Sequence, residues 1–508
     1  MSMPVAPCKH RMPLFACPAR TLARGTAAGE IHRTTISQRM EKILCVMLVL
    51  ALEAGLGMRA ARLRDFRVCR MAEAAGIMRT AQFSWQIESG KHDVRQTAYR
   101  ILVATTPQEL GKQGKGLLWD SERVESDETL QVPYQGRKLP RKKDIYWQVT
   151  VWLNTGERVK SPVLKFTTGL RLADWQAQWI GISDEDKVVN ETGGCRDLSA
   201  RYLRHEFTVT GKVRHAMLYV SGMGVSTTYL NGHQASEELS GYDKTVYYNT
   251  YDVTALLRKG RNAIGTVLGN GYALGLRREH TSFGLPRLMA QLVVETARDT
   301  LVISTSDQWR ATGKGPIRFN NLYTGEVYDA RLEQPGWTEP GFDDSSWGHA
   351  ARMQAPQGSL QPQPCPGRRT QMTLSPQSIR KTGEGRYLID MGQNMVGQLR
   401  TRLRGKAGQP VIIRHAEMLD PYCPDSIYTA NLRTARCTNT YIPASDGTFT
   451  FQPQLVYQGF RYVEISGVTA QPSPKDITGL VQYDQMEKRG TFTCDNPLLN
   501  QIIHNALW

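Results

Sequence analysis

Cysteine is scarce, nine in 508 residues, and no two stand as Cys-x-x-Cys. That density excludes a disulfide scaffold, and the spacing argues against a structural zinc site. Six cysteines lie beyond residue 60: Cys69, Cys195, Cys365, Cys423, Cys437 and Cys494. Cys423 with Cys437 is one conceivable bridge, and free buried thiols are the expected state. Acidic residues are also in deficit, 47 Asp+Glu against 63 Lys+Arg, for a formal charge of +16. The basic excess is dispersed. Its densest stretch, Arg137 to Lys143, reads as a solvated hairpin loop, and no basic stripe interleaved with aromatics appears, so nucleic acid is not an expected partner. Long apolar runs are missing except near the N-terminus, which excludes a multi-span membrane protein. Familiar catalytic signatures are absent as well. There is no Gly-x-Ser-x-Gly elbow, phosphate loop, His-Glu-x-x-His helix or EF-hand loop. Gly269 to Gly275 has one residue too many for Gly-x-Gly-x-x-Gly and reads as a tight turn among strands.

What is present is an ordinary globular composition, 40% hydrophobic and 22% charged, long enough for about three domains. Forty-five Gly and 25 Pro mark it as turn-rich. Residues 1–60 are expected to be a leader. Within them Met40-Glu41-Lys42 precedes ten uninterrupted apolar residues, Ile43 to Leu52, and then small residues to Ala60. Residues 40–60 thus have the layout of a signal peptide, too short for a membrane span. Translation is therefore expected to start at Met40 and the mature chain near Ala61, with about +11 of charge, in the periplasm or outside the cell. Glu53 and the Met58-Arg59-Ala60 triplet depart from the usual pattern, and a buried amphipathic helix is the alternative.

Beyond the leader the period is two. Phe83 to Ile87, Tyr99 to Val103, Tyr146 to Trp152 and Val163 to Phe166 alternate apolar with polar residues, and Trp147, Val149 and Val151 form the face that must go inward. Residues 80–170 read as an immunoglobulin- or fibronectin-like sandwich. A jelly-roll-sized sandwich follows over 174–350, with strands at Tyr202 to Val209, Val213 to Val220, Ser226 to Leu230, Asn262 to Leu268, Arg287 to Glu295 and Leu301 to Thr305. Asn231-Gly232 is its hairpin turn and Tyr251 to Leu257 a short helical turn. Residues 351–376, with the Pro- and Gln-rich stretch Ala355 to Pro366, read as a linker. A third all-β unit spans 377–484, with strands at Gly397 to Leu403, Pro410 to Ala416, Thr438 to Ile442 and Gly459 to Ile465. In 485–508 the period changes: Leu498, Leu499, Ile502, Ile503, Ala506 and Leu507 mark an amphipathic helix, with Asn496 as N-cap and Pro497 in the first turn.

Two acidic groups are candidates for chemistry. Glu326 and Asp329 could form a carboxylate pair, but Arg331 shares the strand face of Asp329, so an ion pair is the favoured reading. His415 and Glu417 also share a strand face, where a structural hydrogen bond is favoured over acid–base work.

Several segments resemble one family. Trp175 to Gly181, Tyr219 to Gly232, Leu268 to Tyr272, Gly325 to Arg331 and Gly341 to Trp347 are similar to the N-terminal modules of bacterial α-L-rhamnosidases of the inverting, six-hairpin type. Asp390 to Gly397, Arg414 to Leu419, Asn431 to Ala435 and Tyr457 to Glu464 resemble the concanavalin-like sandwich of that family. The resemblance covers about residues 80–508 in the expected order. It implies an all-β chain of tandem sandwiches, followed by the first helix of an (α/α)6 catalytic barrel. It also implies hydrolysis of terminal α-L-rhamnosyl bonds, with rhamnose-containing glycans or glycosides as partners and no required cofactor. The family's catalytic carboxylates are expected after Trp508, so the chain as given is expected to be an inactive fragment with no catalytic residue of its own. The rival expectation is a secreted carbohydrate-binding or adhesive array of sandwiches. For residual sugar binding in the jelly-roll unit, Asn270 with Tyr272, and Asn231 with Tyr242 and Asp243, combine an amide with an aromatic face. Some family members bind rhamnose with calcium through a module of this kind, which makes calcium possible here. The plainer reading of these turns is that they supply positive φ.

Overall fold

The computed structural model describes residues 60–111, 116–182, 190–192, 195–239, 244–274, 283–365, 367–485, 488 and 490–508. The leader up to residue 59, Tyr242, Asp243 and the side chain of Cys195 lie outside the described residues. Arg62–Glu88 and Arg95–Trp508 form one compact unit. Ser89–Val94 belong to a second unit with the chain's start, and there the Ser89 hydroxyl caps the Lys91 amide at 3.0 Å.

The first sandwich sets Arg62–Val68, Gln82–Glu88 and Val132–Pro133 against a sheet built on Gln96–Ala104 and Asp144–Leu153. Alternation decides which side chains meet between the layers: Trp147, Val149 and Val151 are buried, and the Trp147 ring lies 4.6 Å from Phe83. Trp85, also buried, donates its indole N–H to Gln96 at 2.9 Å. That removes the cost of an unsatisfied polar atom in the core.

In the second sandwich, one sheet runs Ala351–Arg352, Ile180–Gly181, Arg287–Thr296, Val213–Met223, Thr245–Asp252, Ser359–Pro362. The other runs His233–Leu239, Val225–Leu230, Gly260–Gly269, Arg201–Val209, Arg310–Thr312, Gly348–His349. Leu203, Leu218, Val220, Ile264, Leu292 and Trp309 fill the space between them. The expected linker 351–376 is thus corrected. Ser359–Pro362 pairs in parallel with Thr245–Asp252, and Arg368–Leu374 pairs with Ile477–Asp484. Proline is tolerated because Ser359–Pro362 is an edge strand.

The two sandwiches are pinned together. Tyr248, buried, donates its hydroxyl to the Leu170 carbonyl at 2.9 Å and accepts the Leu170 amide at 3.2 Å. Within the basic stretch expected as a solvated loop, Arg141 pairs with Asp174 at 2.5 Å and Lys143 with Glu295 at 2.7 Å.

The third unit is organised by Arg386–Gly405, a 20-residue strand that pairs first with Gln458–Ser466 and then with Ile477–Asp484. Ile389, Leu399, Ile413, Phe460, Val463 and Ile465 form its core. Its sheet does not end with its own residues. The hairpin Ile317–Asn321 and Gly325–Asp329, from the second sandwich's stretch of chain, extends it, with Val327 opposite Thr440 in a parallel pair. Gly325 stands at φ +120°, and a Cβ there would fall 1.9 Å from the Thr438 carbonyl oxygen, so only glycine permits this approach. The fully buried Glu326 carboxylate accepts the amides of Gln454 at 3.1 Å and Leu455 at 2.8 Å.

The last element, Pro497–Leu507, is the expected helix. Asn496 caps it by accepting the Leu498 amide at 3.0 Å, and Leu498, Ile502 and Leu507 are exposed.

Burial pushes the Glu326 carboxyl up to about 7, while the two amide donors pull it down. The folded chain holds this proton more tightly than the unfolded one. Its stabilising effect is therefore complete below about pH 4.5 and is lost as pH rises through about 7. Glu326→Gln keeps an acceptor and removes the titration. We expect the stability of the variant relative to the parent to rise between pH 4.5 and 8 by up to about 3 kcal/mol. Urea unfolding at several pH values measures it, and a pH-independent difference would contradict the assignment.

Candidate functional site

The Asn231-Gly232 turn closes the hairpin at Leu230 opposite His233, with φ of +51° and +84°. Positive φ at both positions suits the two-residue turn to the strand twist. The Asn231 amide is not available to a sugar. Its nitrogen donates to the Leu256 carbonyl and to Asn262 at 2.8 Å each, and its oxygen accepts the Ala263 amide at 3.0 Å. Its expected companions Tyr242 and Asp243 lie outside the described residues.

Asn270 is 2% exposed. Its oxygen accepts from Arg201 at 2.7 Å and its nitrogen donates to the Asn320 carbonyl at 2.8 Å, while its backbone amide donates to the Asn320 side chain at 2.7 Å. It knots the Gly260–Gly269 strand to the hairpin that enters the third sheet. For Asn231 and Asn270 the sugar-binding expectation is therefore corrected: internal partners consume both amides. Tyr272 differs, being 40% exposed. Partial burial and its contact with the Tyr457 hydroxyl push its phenol up to about 12. The Arg368 guanidinium lies 4.9 Å over the Tyr457 ring and pairs with Glu237, so Tyr272 sits in an aromatic and charged cluster.

The acidic candidates separate. Asp329 and Arg331 form the expected pair, at 2.8 and 2.7 Å. That pairing, the Arg331 hydrogen bond first, holds the Asp329 carboxyl below its usual range. Glu326 faces away into the sheet junction. His415 does not bond Glu417. Its Nδ1 meets the Cys437 carbonyl at 3.0 Å, and burial lowers its pKa to about 4, so it is a neutral core imidazole packed on Phe460. Glu417 stands just beyond the strand Val411–Ala416 and accepts from Asn394 at 3.3 Å. The shared face ends with the strand. Cys423 and Cys437 are unbridged, and of the free cysteines described only Cys69 is buried, which corrects the expectation of buried thiols. Among the described residues no three His, Cys, Asp or Glu side chains gather as metal ligands.

One concavity escaped the sequence. It is a cleft of about 1270 Å³ between the first sandwich, the strand Thr245–Asp252 and the segment after Pro362. Its walls come from stretches more than 400 residues apart, such as Arg70 and Gln485, and no local pattern announces it.

Three family models match in chain order. The Rha78A-like N-terminal immunoglobulin domain covers residues 63–171. The alpha-L-rhamnosidase N-terminal domain covers 211–372, and the bacterial alpha-L-rhamnosidase concanavalin-like domain covers 380–483. An alpha-L-rhamnosidase of Formosa agariphila is 34% identical over 84% of this chain and 47% of its own length. The solved alpha-L-rhamnosidase of Dictyoglumus thermophilum is 31% identical with a TM-score of 0.79, over 88% of this chain and 51% of that one. The Streptomyces avermitilis alpha-L-rhamnosidase structure is 25% identical with a TM-score of 0.78, over 88% of this chain and 60% of that one. The chain spans about half the length of the curated relatives it matches. Through three consecutive β-sandwich modules, the chain belongs to the bacterial α-L-rhamnosidase family.

Proposed function

We propose that this chain is the β-sandwich portion of an α-L-rhamnosidase that removes terminal non-reducing α-L-rhamnose from glycosides with inversion. The observation that carries this is the unbroken order of three rhamnosidase modules over residues 63–483. The Streptomyces avermitilis relative is described as complexed with L-rhamnose, which supports the substrate class. Inversion needs one carboxylic acid to protonate the leaving oxygen and a second carboxylate, about 6.5–9.5 Å away, to activate water. We assign neither role within these residues. Glu326 is sealed in a sheet junction and Asp329 is held by Arg331, so neither is offered for these roles.

The 508-residue chain alone is therefore expected not to release the aryl group from an aryl α-L-rhamnoside, since a single positioned acid or base is worth about 10² to 10⁴ in rate. Turnover by the purified chain that is abolished by mutating one of its own carboxylates would overturn this. We also propose export, on the signal-peptide layout of residues 40–60. Intact-mass measurement of protein from the native host is expected to show a chain starting near Ala61. A cytoplasmic protein that retains Met40 to Ala60 would refute it.

Any residual rhamnose binding in the second sandwich we place at Tyr272, whose exposed ring can stack on sugar C–H groups. Millimolar affinity is expected, worth about 4 kcal/mol. Titrating L-rhamnose into the chain by NMR, with and without calcium, tests it. Shifts unaffected by Tyr272→Ala would leave the turn purely structural.

A further inference from the structure

We propose that the cleft between the first two sandwiches binds an oligosaccharide bearing uronate carboxylates, gripped by side-chain amides and by Arg70 and Arg369. The assignment does not depend on the hydrolytic function, because it rests on the lining chemistry alone. The cleft is a fixed feature of the unit: the Tyr248 bonds to Leu170 and the bridges from Lys165 to Asp144 and Asp252, each 3.3 Å, tie its two walls. At about 1270 Å³ it exceeds the usual range for a drug-sized ligand, about 300–1,000 Å³, and suits an extended chain better than one sugar ring.

Its lining is rich in amides. Gln86, Gln234, Asn249 and Gln485 all face it, and their side chains make no hydrogen bond within the described protein. An amide presents two donors and an acceptor side by side, the complement of neighbouring hydroxyls on a sugar ring. The charges are sorted as well. Arg67 is matched with Asp65 at 2.6 Å and Lys165 with its two aspartates, but Arg70 and Arg369 have no carboxylate partner in the described structure. The Arg70 guanidinium is held in place by the Gln131 side-chain oxygen at 3.2 and 3.1 Å. A planar guanidinium presented in this way suits a carboxylate, which it can meet with two parallel bonds.

The backbone supplies a separate observation. Ten described non-glycine residues have positive φ, and Asp65, Arg70 and Gln131 among them line this cleft, at +51°, +72° and +54°. Left-handed backbone at non-glycine residues is uncommon and concentrates where ligands are clamped. Both members of the Arg70–Gln131 pair are among them. Other partners fit less well. Of the aromatic rings in the walls, Trp85, Phe166 and Tyr248 are buried and Tyr251 is half-buried, so a protein partner would find little aromatic anchorage there.

The test is a calorimetric titration of hexagalacturonate into the 508-residue chain at low salt, beside neutral xylohexaose. Saturable binding of the uronate at millimolar concentration or below is expected, with the neutral sugar weaker. Arg70→Ala with Arg369→Ala should weaken it at least about tenfold, one charge-assisted contact being worth about that factor. Gln485→Ala should weaken it by less. All three residues are exposed, so the thermal midpoint should not move. Absence of saturable binding, equal binding of both sugars, or affinity indifferent to these substitutions would overturn the proposal. None of these results bears on rhamnoside hydrolysis, so the two proposals fail separately.

Discussion

The parallel pairing of Gly325–Asp329 with Thr438–Ile442 is the contact on which the second and third sandwiches depend. It carries a hairpin out of one sandwich and makes it the edge of another's sheet. Neither sandwich can then close its own hydrogen bonds alone, because the outer edge of Gly325–Asp329 finds its backbone partners across the boundary. The requirements stack at one place: a glycine where any Cβ would strike the Thr438 carbonyl, and beside it a carboxylate that collects the amides of Gln454 and Leu455. The returning strand Arg368–Leu374 crosses the same boundary in the other direction, against Ile477–Asp484. The two units are interlocked rather than strung together.

This interlocking explains why the polar residues of the turns are structural. Where Gly260–Gly269 ends, its last residues must meet both its own sheet and the entering hairpin, and no regular ladder serves that corner. Asn270 and Asn320 satisfy the stray groups with Arg201 between the strands. Buried amides of this kind are retained because removing one would orphan its partners. The same reasoning covers Asn231, whose two donors and one acceptor hold the hairpin against Leu256, Asn262 and Ala263.

Legibility followed locality. Period-two segments such as Tyr146 to Trp152 announced both strand and inward face, and Asn496-Pro497 announced the start of the helix, because these signals reside in a few adjacent residues. The misread 351–376 stretch shows the opposite case. Proline and glutamine look like a linker, yet Ser359–Pro362 finds a parallel partner 114 residues earlier in the chain, at Thr245 opposite Ser359. A parallel edge pairing leaves no local pattern. His415 has the structural hydrogen bond expected of it, but with the Cys437 carbonyl in place of Glu417, because the strand stops at Ala416 and leaves Glu417 outside it. Tyr272 was legible as an exposed aromatic in a turn, whereas its neighbour Asn270 was not legible as buried, since its partners lie at 198, 201 and 320.

Electrostatics bear on where chemistry can reside. A general acid needs a carboxyl that stays protonated near neutral pH and opens onto substrate. Along these sandwiches the two conditions are divided among different residues. Asp120 beside Arg100, Asp329 beside Arg331 and Asp390 beside Arg461 are each held below their ordinary range, first of all by hydrogen bonds from the guanidinium, and so stay ionised. Glu326 alone among these has its carboxyl raised to about 7, by burial, and that same burial shuts it from any substrate. What raises the pKa here is what removes the access, so this carboxyl serves the sheet junction. A working acid would need an apolar wall on one side and an open face on the other, and none of these four carboxyls has that combination.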